Sequence, residues 1–196
     1  MKSLTYSLYS SKNTVFTTQE ISLILNETNL NKLKSRINYF VKKGVLKSLK
    51  RGLYAKNNGY EILEAANKIF TPSYISLETV LQRKGITFQN YDKTIFVISY
   101  QTRDVKLCDY TISFRKMKDE ILNNPRGIEN INGYSMASKE RAFLDRVYMS
   151  KNYHFDNLEQ VNWKVAKNLV KIYNNKAMER RFNNYVSDFF TPHNND

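Results

Sequence analysis

The sequence is poor in the residues that build common catalytic and metal sites. Among 196 residues it has one cysteine, two histidines and six glycines. His154 and His193 lie outside any CxxC or HExxH pattern, so we expect no metal and no cofactor. The chain has no GxGxxG, GxxxxGK or GxSxG motif and no clustered carboxylates of the kind a nuclease needs. These absences predict that the protein is not an enzyme.

The lone cysteine and the lack of long apolar runs set further bounds. Cys108 cannot close an intrachain disulfide, and its place in VKLCDYTISF predicts a small apolar filler in a strand. No stretch of about 18 apolar residues could cross a membrane, and MKSLTYSLYSSK lacks the apolar core of a signal peptide. We therefore expect a soluble, cytoplasmic protein with no membrane partner. A hydrophobic share of 41% is enough for a folded core.

Acidic residues are scarce in the first third of the chain. Residues 1–57 hold 11 Lys/Arg and 2 Asp/Glu, a net charge of +9, whereas residues 58–196 hold 20 and 16, a net charge of +4. This asymmetry favours a polyanionic partner for the N-terminal third, and nucleic acid before an anionic membrane. The alternative is a solvated surface in a lysine-rich protein.

Residues 30–56, LNKLKSRINYFVKKGVLKSLKRGLYAK, combine nine Lys/Arg and no acid with a regular apolar pattern. Two predicted helices precede this stretch, one over residues 2–10 and one capped by Thr17 or Thr18. A third helix has Thr28 or Asn29 as its cap and ends at Gly44. Its apolar stripe comprises Leu30, Leu33, Ile37, Phe40 and Val41.

After Gly44 the pattern changes to two short strands that turn around Lys50-Arg51-Gly52. Three helices followed by a β-hairpin predict a winged helix-turn-helix domain over residues 1–57, which would bind double-stranded DNA. The predicted groove-facing residues lie on the third helix and are Lys32, Ser35, Arg36 and Tyr39. Lys34 belongs to the same DNA-binding set, and the predicted phosphate contacts are Lys42, Lys43, Lys47, Lys50 and Arg51. The alternative is a protein-binding winged helix with a solvated basic face.

Residues 58–196 predict an α+β domain with a mixed sheet flanked by helices. GYEILEAANKIF predicts a helix, and TPSYISLETVLQRKG a second one that begins after Pro72, with Ser73 or Ser76 as cap, and ends at Gly85. Three segments rich in β-branched and aromatic residues predict strands: DKTIFVISY, VKLCDYTISFRKM and INGYSMA. SKERAFLDRVYMSK predicts a helix capped by Ser138. The remaining residues predict two helices with a break near Asn174-Asn175.

The order of these segments resembles a known family. A winged helix that ends in RGLYAK is followed by PSYISLETVLQRKGI, by strands and by MASKERAFLDRVY. This order, over about residues 15–150, resembles the AbiEi family, the antitoxin components of type IV toxin–antitoxin systems that act in abortive phage infection. The resemblance implies an N-terminal domain that binds inverted repeats in its own promoter and represses its operon.

The resemblance also implies antitoxin activity in the C-terminal domain. The toxin would be a nucleotidyltransferase-like protein encoded next to it, countered without a tight complex. Lys139, Arg141 and Arg146 are candidates for an antitoxin surface; the alternative is that Glu140 and Arg141 anchor their helix against the sheet. A different function remains open, in which the winged helix only tethers the protein to DNA and the C-terminal domain is an adaptor that binds a protein partner.

Overall fold

A computed structural model describes residues 4–191, which form helices and two separate β-sheets. The helices are α1 (Leu4–Ser10), α2 (Thr18–Leu25), α3 (Leu30–Lys42), α4 (Ile62–Asn67), α5 (Glu78–Arg83), α6 (Asp119–Leu122), α7 (Lys139–Met149), α8 (Trp163–Leu169) and α9 (Lys176–Phe190). The strands are β1 (Val15–Thr17), β2 (Lys47–Lys50), β3 (Leu53–Ala55), β4 (Ser73–Ile75), β5 (Thr94–Ser99), β6 (Arg103–Leu107), β7 (Tyr110–Lys116), β8 (Ile128–Ile131) and β9 (Tyr134–Ala137). Short 3-10 turns cover Leu158–Gln160 and Val170–Tyr173. The predicted α+β class is confirmed.

The N-terminal part combines α1–α3 with a three-stranded antiparallel sheet in the order β1-β3-β2. One face of α3 supplies Leu33 and Ile37 to a separate small core. The other buried members of that core are Leu8, Phe16, Ile21, Leu25 and Leu46. Strand β1 was not predicted, because three residues that pair with a strand about 40 positions later leave no local signal.

Local capping explains where these helices begin and end. The Thr17 hydroxyl accepts a hydrogen bond from the Glu20 backbone, and the Glu20 carboxylate accepts one from the Thr17 backbone at 2.6 Å. This capping box satisfies two otherwise unpaired amides at the start of α2. The Asn29 side chain accepts from two backbone amides at the start of α3, and Gly44 follows its end with a positive φ of 70°. The predicted cap at Thr17 or Thr18, the cap at Thr28 or Asn29 and the stop at Gly44 are thus confirmed.

The second sheet has six strands in the order β6-β7-β5-β4-β9-β8. β5 pairs parallel with β7 and β4 parallel with β9, whereas the other neighbours are antiparallel. The predicted mixed sheet is therefore confirmed. Helix α7 packs against α5, α8 and α9. The helical chain is interrupted before α9 at Asn174 and Asn175, as predicted.

The segment TPSYISLETVLQRKG folds differently from the prediction. Ser73–Ile75 form the inner strand β4, and the helix begins only at Glu78. Neither Ser73 nor Ser76 caps it, because the cap position is Leu77 and carries no side-chain cap bond. The Ser76 hydroxyl instead donates to Asp145 at 2.7 Å. The helix was predicted to begin after Pro72. Instead, pairing with β5 and β9 holds the next three residues in a strand.

Cys108 is also placed differently from the prediction. The stretch read as one strand is a hairpin, in which Cys108 lies in the turn between β6 and β7 with a φ of 51°. The residue is exposed, and its sulfur accepts a hydrogen bond from the Tyr60 hydroxyl at 3.3 Å. The prediction of a buried apolar filler is therefore wrong.

A buried ion pair joins the N-terminal part to α4. The fully buried Glu64 carboxylate accepts hydrogen bonds from the Thr14 amide (2.8 Å) and hydroxyl (2.6 Å) and from the Val15 amide (3.3 Å). Lys68 Nζ lies 3.0 Å from Glu64 Oε1 and 2.9 Å from Glu20 Oε1. β1 and the start of α2 are thus held against α4, while the predicted domain boundary after residue 57 stays a prediction.

Candidate nucleic-acid interface

Helix α3 has one apolar face and one basic face. Burial of Leu33 and Ile37 leaves the opposite side of the helix in solvent. The predicted groove-facing residues Lys32, Ser35, Arg36 and Tyr39 are exposed or partly exposed, and so is Lys34 of the same DNA-binding set. Arg36 lies 3.8 Å from the Glu27 carboxylate in the loop before the helix. The structure therefore presents these side chains outward, where a partner could reach them.

The predicted phosphate contacts continue this basic surface beyond the helix. Lys42, Lys43, Lys47, Lys50 and Arg51 are all exposed. Lys43 Nζ lies 5.9 Å from the centre of the Tyr39 ring, within range of a cation–π contact. Lys47 Nζ donates to the Asn58 side chain at 3.1 Å. Apart from Arg36, none of the basic residues predicted to bind DNA has a carboxylate within 4 Å among residues 4–191.

The structure brings two of these cations together across a cleft. Lys34 of α3 and Arg51 of the β2–β3 turn line one cavity of about 430 Å³. Thr18, at the start of α2, and Asn38 of α3 line the same cavity. Asn38 was not among the predicted residues, although its position one turn after Lys34 on the polar face was a signal for it. Lys50 instead lines a cavity of about 380 Å³ with Arg103 and Lys106 of β6.

Arg141, a predicted member of an antitoxin surface, is fully buried. Its guanidinium donates to the Tyr74 hydroxyl at 3.0 Å and to the backbone carbonyls of Ile121 and Arg126 at 2.7 and 2.9 Å. Its Nε donates to Asp145 at 3.2 Å. Arg141 can therefore take no part in a surface, and the anchoring alternative describes its contacts.

The Asp145 carboxylate completes this buried network. It accepts hydrogen bonds from the hydroxyls of Tyr173 (2.6 Å), Ser76 (2.7 Å) and Tyr74 (3.2 Å). Burial raises the pKa of Tyr74 and of Tyr173 well above its usual range, so both hydroxyls stay protonated and can donate. The network ties α7 to β4 and to the 3-10 turn before α9.

Lys139 and Arg146 remain partly exposed on α7. Arg146 forms an ion pair with the buried Glu78 carboxylate at 2.5 Å, and its guanidinium lies 4.5 Å from the centre of the Tyr153 ring. Lys139 Nζ lies 3.9 Å from Glu140, whose carboxylate accepts from the Asn162 amide. Both cations thus already have acidic partners within the chain, unlike those around the α3 cleft.

Comparison with known proteins identifies no relative: no protein-family model matches the chain, and no curated protein matches it. Within residues 4–191, no group of three or more His, Cys, Asp or Glu could hold a metal ion. His193 lies outside this range. No helix in the described part of the chain is long and apolar enough to cross a membrane.

Proposed function

We propose that residues 1–57 form a winged helix-turn-helix that binds double-stranded DNA. The proposal is supported by the order of elements, α1-β1-α2-α3-β2-β3, which supplies three helices and a hairpin, and by the sheet order β1-β3-β2. In such a motif α3 enters the major groove and the β2–β3 turn lies against the neighbouring backbone. Because Arg51 and Gly52 alone separate β2 from β3, this wing is short.

The observation that carries the proposal is the set of exposed cations without acidic partners on α3 and the turn. Charges of one sign on one folded surface are held together most favourably when a polyanion neutralises them. Lys32, Ser35 and Arg36 lie in the first seven residues of α3, the part of a recognition helix that contacts base edges, and Tyr39 follows in the second half of the helix. The later cations, from Lys42 to Arg51, contact phosphates and position the protein.

We extend the proposal to an autorepressor and an antitoxin of a type IV system, on the resemblance to the AbiEi family. The two segments that carry the resemblance pack against each other. Tyr74 and Ser76 of PSYISLETVL bond to the buried pair on α7, and Glu78 pairs with Arg146 of ASKERAFLDR. These contacts support the proposal only in that the two segments belong to one packed unit. The toxin would be a nucleotidyltransferase-like protein, opposed without a tight complex.

A gel-shift titration tests DNA binding. The duplexes are the DNA upstream of the gene and a scrambled sequence of equal composition, each at two salt concentrations. We expect tighter binding to the upstream duplex and a loss of about 0.9 log unit of affinity per log unit of salt for each phosphate contacted. Equal, weak binding to both duplexes would remove the repressor from the proposal.

Co-expression with the neighbouring gene tests the antitoxin half separately. Growth rescue by the full chain, without co-purification of the two proteins, is the expected result. A stable complex with a different protein, and no rescue, would instead favour an adaptor that the winged helix tethers to DNA.

A further inference from the structure

The cleft between α3 and the β2–β3 turn has the features of a binding site for a phosphate group. Lys34 and Arg51 line it from the two sides, and its other lining residues include the hydroxyl-bearing Thr18 and the amide-bearing Asn38. Of the residues between 4 and 191 that line it, none is acidic. A concave space with two cations and neutral hydrogen-bond donors is suited to a single anionic group.

Asn38 is the uncharged polar residue that α3 contributes to this cleft. It lies inside the 13-residue helix α3 and is exposed, so it adds nothing to the core. Asn183 of α9 is also an exposed asparagine inside a helix, so exposure alone indicates no function. What distinguishes Asn38 is its place in a cleft that Lys34 and Arg51 also line.

The docking geometry places a DNA strand over this cleft. Suppose that α3 lies in the major groove and that the β2–β3 turn contacts the neighbouring backbone. The DNA strand at the edge of that groove must then pass between α3 and the turn. We propose that the cleft binds one phosphodiester of that strand, held by Lys34 and Arg51 with the Asn38 amide as an uncharged hydrogen-bond donor. This inference rests on the proposed DNA binding and adds a residue and a role to it.

The variant Asn38→Ala tests the role of the amide. Affinity should fall about tenfold, the size of one lost hydrogen bond to a charged group. The loss should be equal for the upstream and the scrambled duplex, because a phosphate carries no sequence information. The salt slope should stay unchanged, since asparagine carries no charge, whereas Lys34→Ala should flatten it by about 0.9.

Asn38→Asp is the sharper variant, because it keeps the size of the side chain but places a carboxylate against the phosphate. It should lose clearly more affinity than Asn38→Ala. Asn183→Ala, at an exposed position in α9, is the matched control and should bind like the wild type. Urea titrations of all variants show whether they are folded; Asn38→Ala should be at least as stable as the wild type.

The outcomes separate this inference from the proposed function. If the wild type binds DNA and Asn38→Ala binds it with the same affinity, the phosphate site is overturned. The proposed DNA binding then remains. A loss confined to the upstream duplex also overturns it, because Asn38 would then contact a base. A wild type that binds neither duplex overturns both proposals.

Discussion

Helices α3 and α7 are both rich in charge, but the fold treats their charges in opposite ways. α3 carries four cations and no acid, all at least partly exposed. α7 carries cations and acids, and its central pair, Arg141 and Asp145, is fully buried. The buried charges have hydrogen-bond partners inside the chain, which buried ions require. Among residues 4–191, only Arg36 of the α3 cations has an acidic partner, and this is why we propose an external polyanion for α3 and none for the buried pair of α7.

The comparison also separates structural from functional signals within one sequence. Arg141 resembled a surface residue because it stands among other charges in KERAFLDR. Its partners come from β4, from the carbonyls around α6 and from Asp145, and only Asp145 is close in sequence. A charged residue is therefore a functional candidate when the chain leaves it unpaired, and an anchor when the chain satisfies it.

The largest expected effect is from Arg141→Met, which removes the charge but keeps an apolar side chain of useful length. Asp145 would be left buried without its cation, and four other acceptors would lose their donor, so the free energy of unfolding should fall by about 3–5 kcal/mol. Urea denaturation followed by circular dichroism measures this. Lys139→Met, two residues earlier in the same helix and partly exposed, is the control and should change stability by less than about 0.5 kcal/mol. Equal losses in the two variants would contradict the distinction between buried and exposed charges.

A second buried carboxylate tests how firmly the two parts of the molecule are joined. Glu64→Ala leaves the Thr14 hydroxyl and two backbone amides without an acceptor. We expect a loss of about 2–3 kcal/mol, less than for Arg141 because Lys68 keeps Glu20 as a partner. Hydrogen exchange should show faster opening of β1 in this variant. The exposed Glu129→Ala is the control, and unchanged exchange in β1 would refute a structural role for Glu64.

Arg51 represents the exposed charges in this comparison. Arg51→Ala should weaken DNA binding and leave folding intact. Loss of one phosphate contact should flatten the salt slope by about 0.9 and cost roughly tenfold in affinity at moderate salt, for all duplexes alike. Lys50→Ala should act in the same way. Fluorescence anisotropy at several salt concentrations measures both quantities, with Lys164→Ala in α8 as the control. An unchanged slope would remove the β2–β3 turn from the DNA interface.

Much of the N-terminal fold was predictable because its signals are local. Capping residues, the glycine after α3 and the turn at Arg51 and Gly52 each act within four or five positions. The conformation of Ser73–Ile75 was not predictable, because a three-residue strand has too few positions for its period to be distinguished from that of a helix. The turn at Cys108 was hidden for a related reason, because Cys and Asp at its centre lack the usual Asn-Gly or Gly signal.

The candidate interface was predictable in its composition but not in its shape. The exposed cations of α3 follow from helical period alone. The cleft that joins Lys34, Asn38 and Arg51 depends on how the β2–β3 turn packs against α3 and the start of α2. That packing is set by contacts between distant segments, so the sequence could indicate the members of the surface without indicating which of them act together.

The smallest expected effect is at an exposed charge that has a partner within the chain. Such a charge combines the exposure seen on α3 with the pairing seen on α7. Asp104 on β6 accepts from the Ser113 hydroxyl at 2.7 Å and pairs with Arg115 at 3.0 Å. The hydrogen bond from Ser113, with help from Arg115, lowers the pKa of Asp104 below its usual range. Its stabilising contribution is therefore present above the ordinary Asp pKa of about 3.9 and is lost as the pH falls through the lowered folded pKa.

Asp104→Asn measures that contribution. With 59% of the Asp104 side chain exposed, solvent screening should keep the difference from wild type below about 1 kcal/mol at neutral pH. The difference should shrink on acidification, because the wild-type carboxylate then also becomes neutral. Urea midpoints at neutral and strongly acidic pH give both values, and Asp188→Asn, at an exposed position in α9, is the control. A difference that grew with acid would contradict the lowered pKa, because Asp104 would then be stabilised in its protonated form.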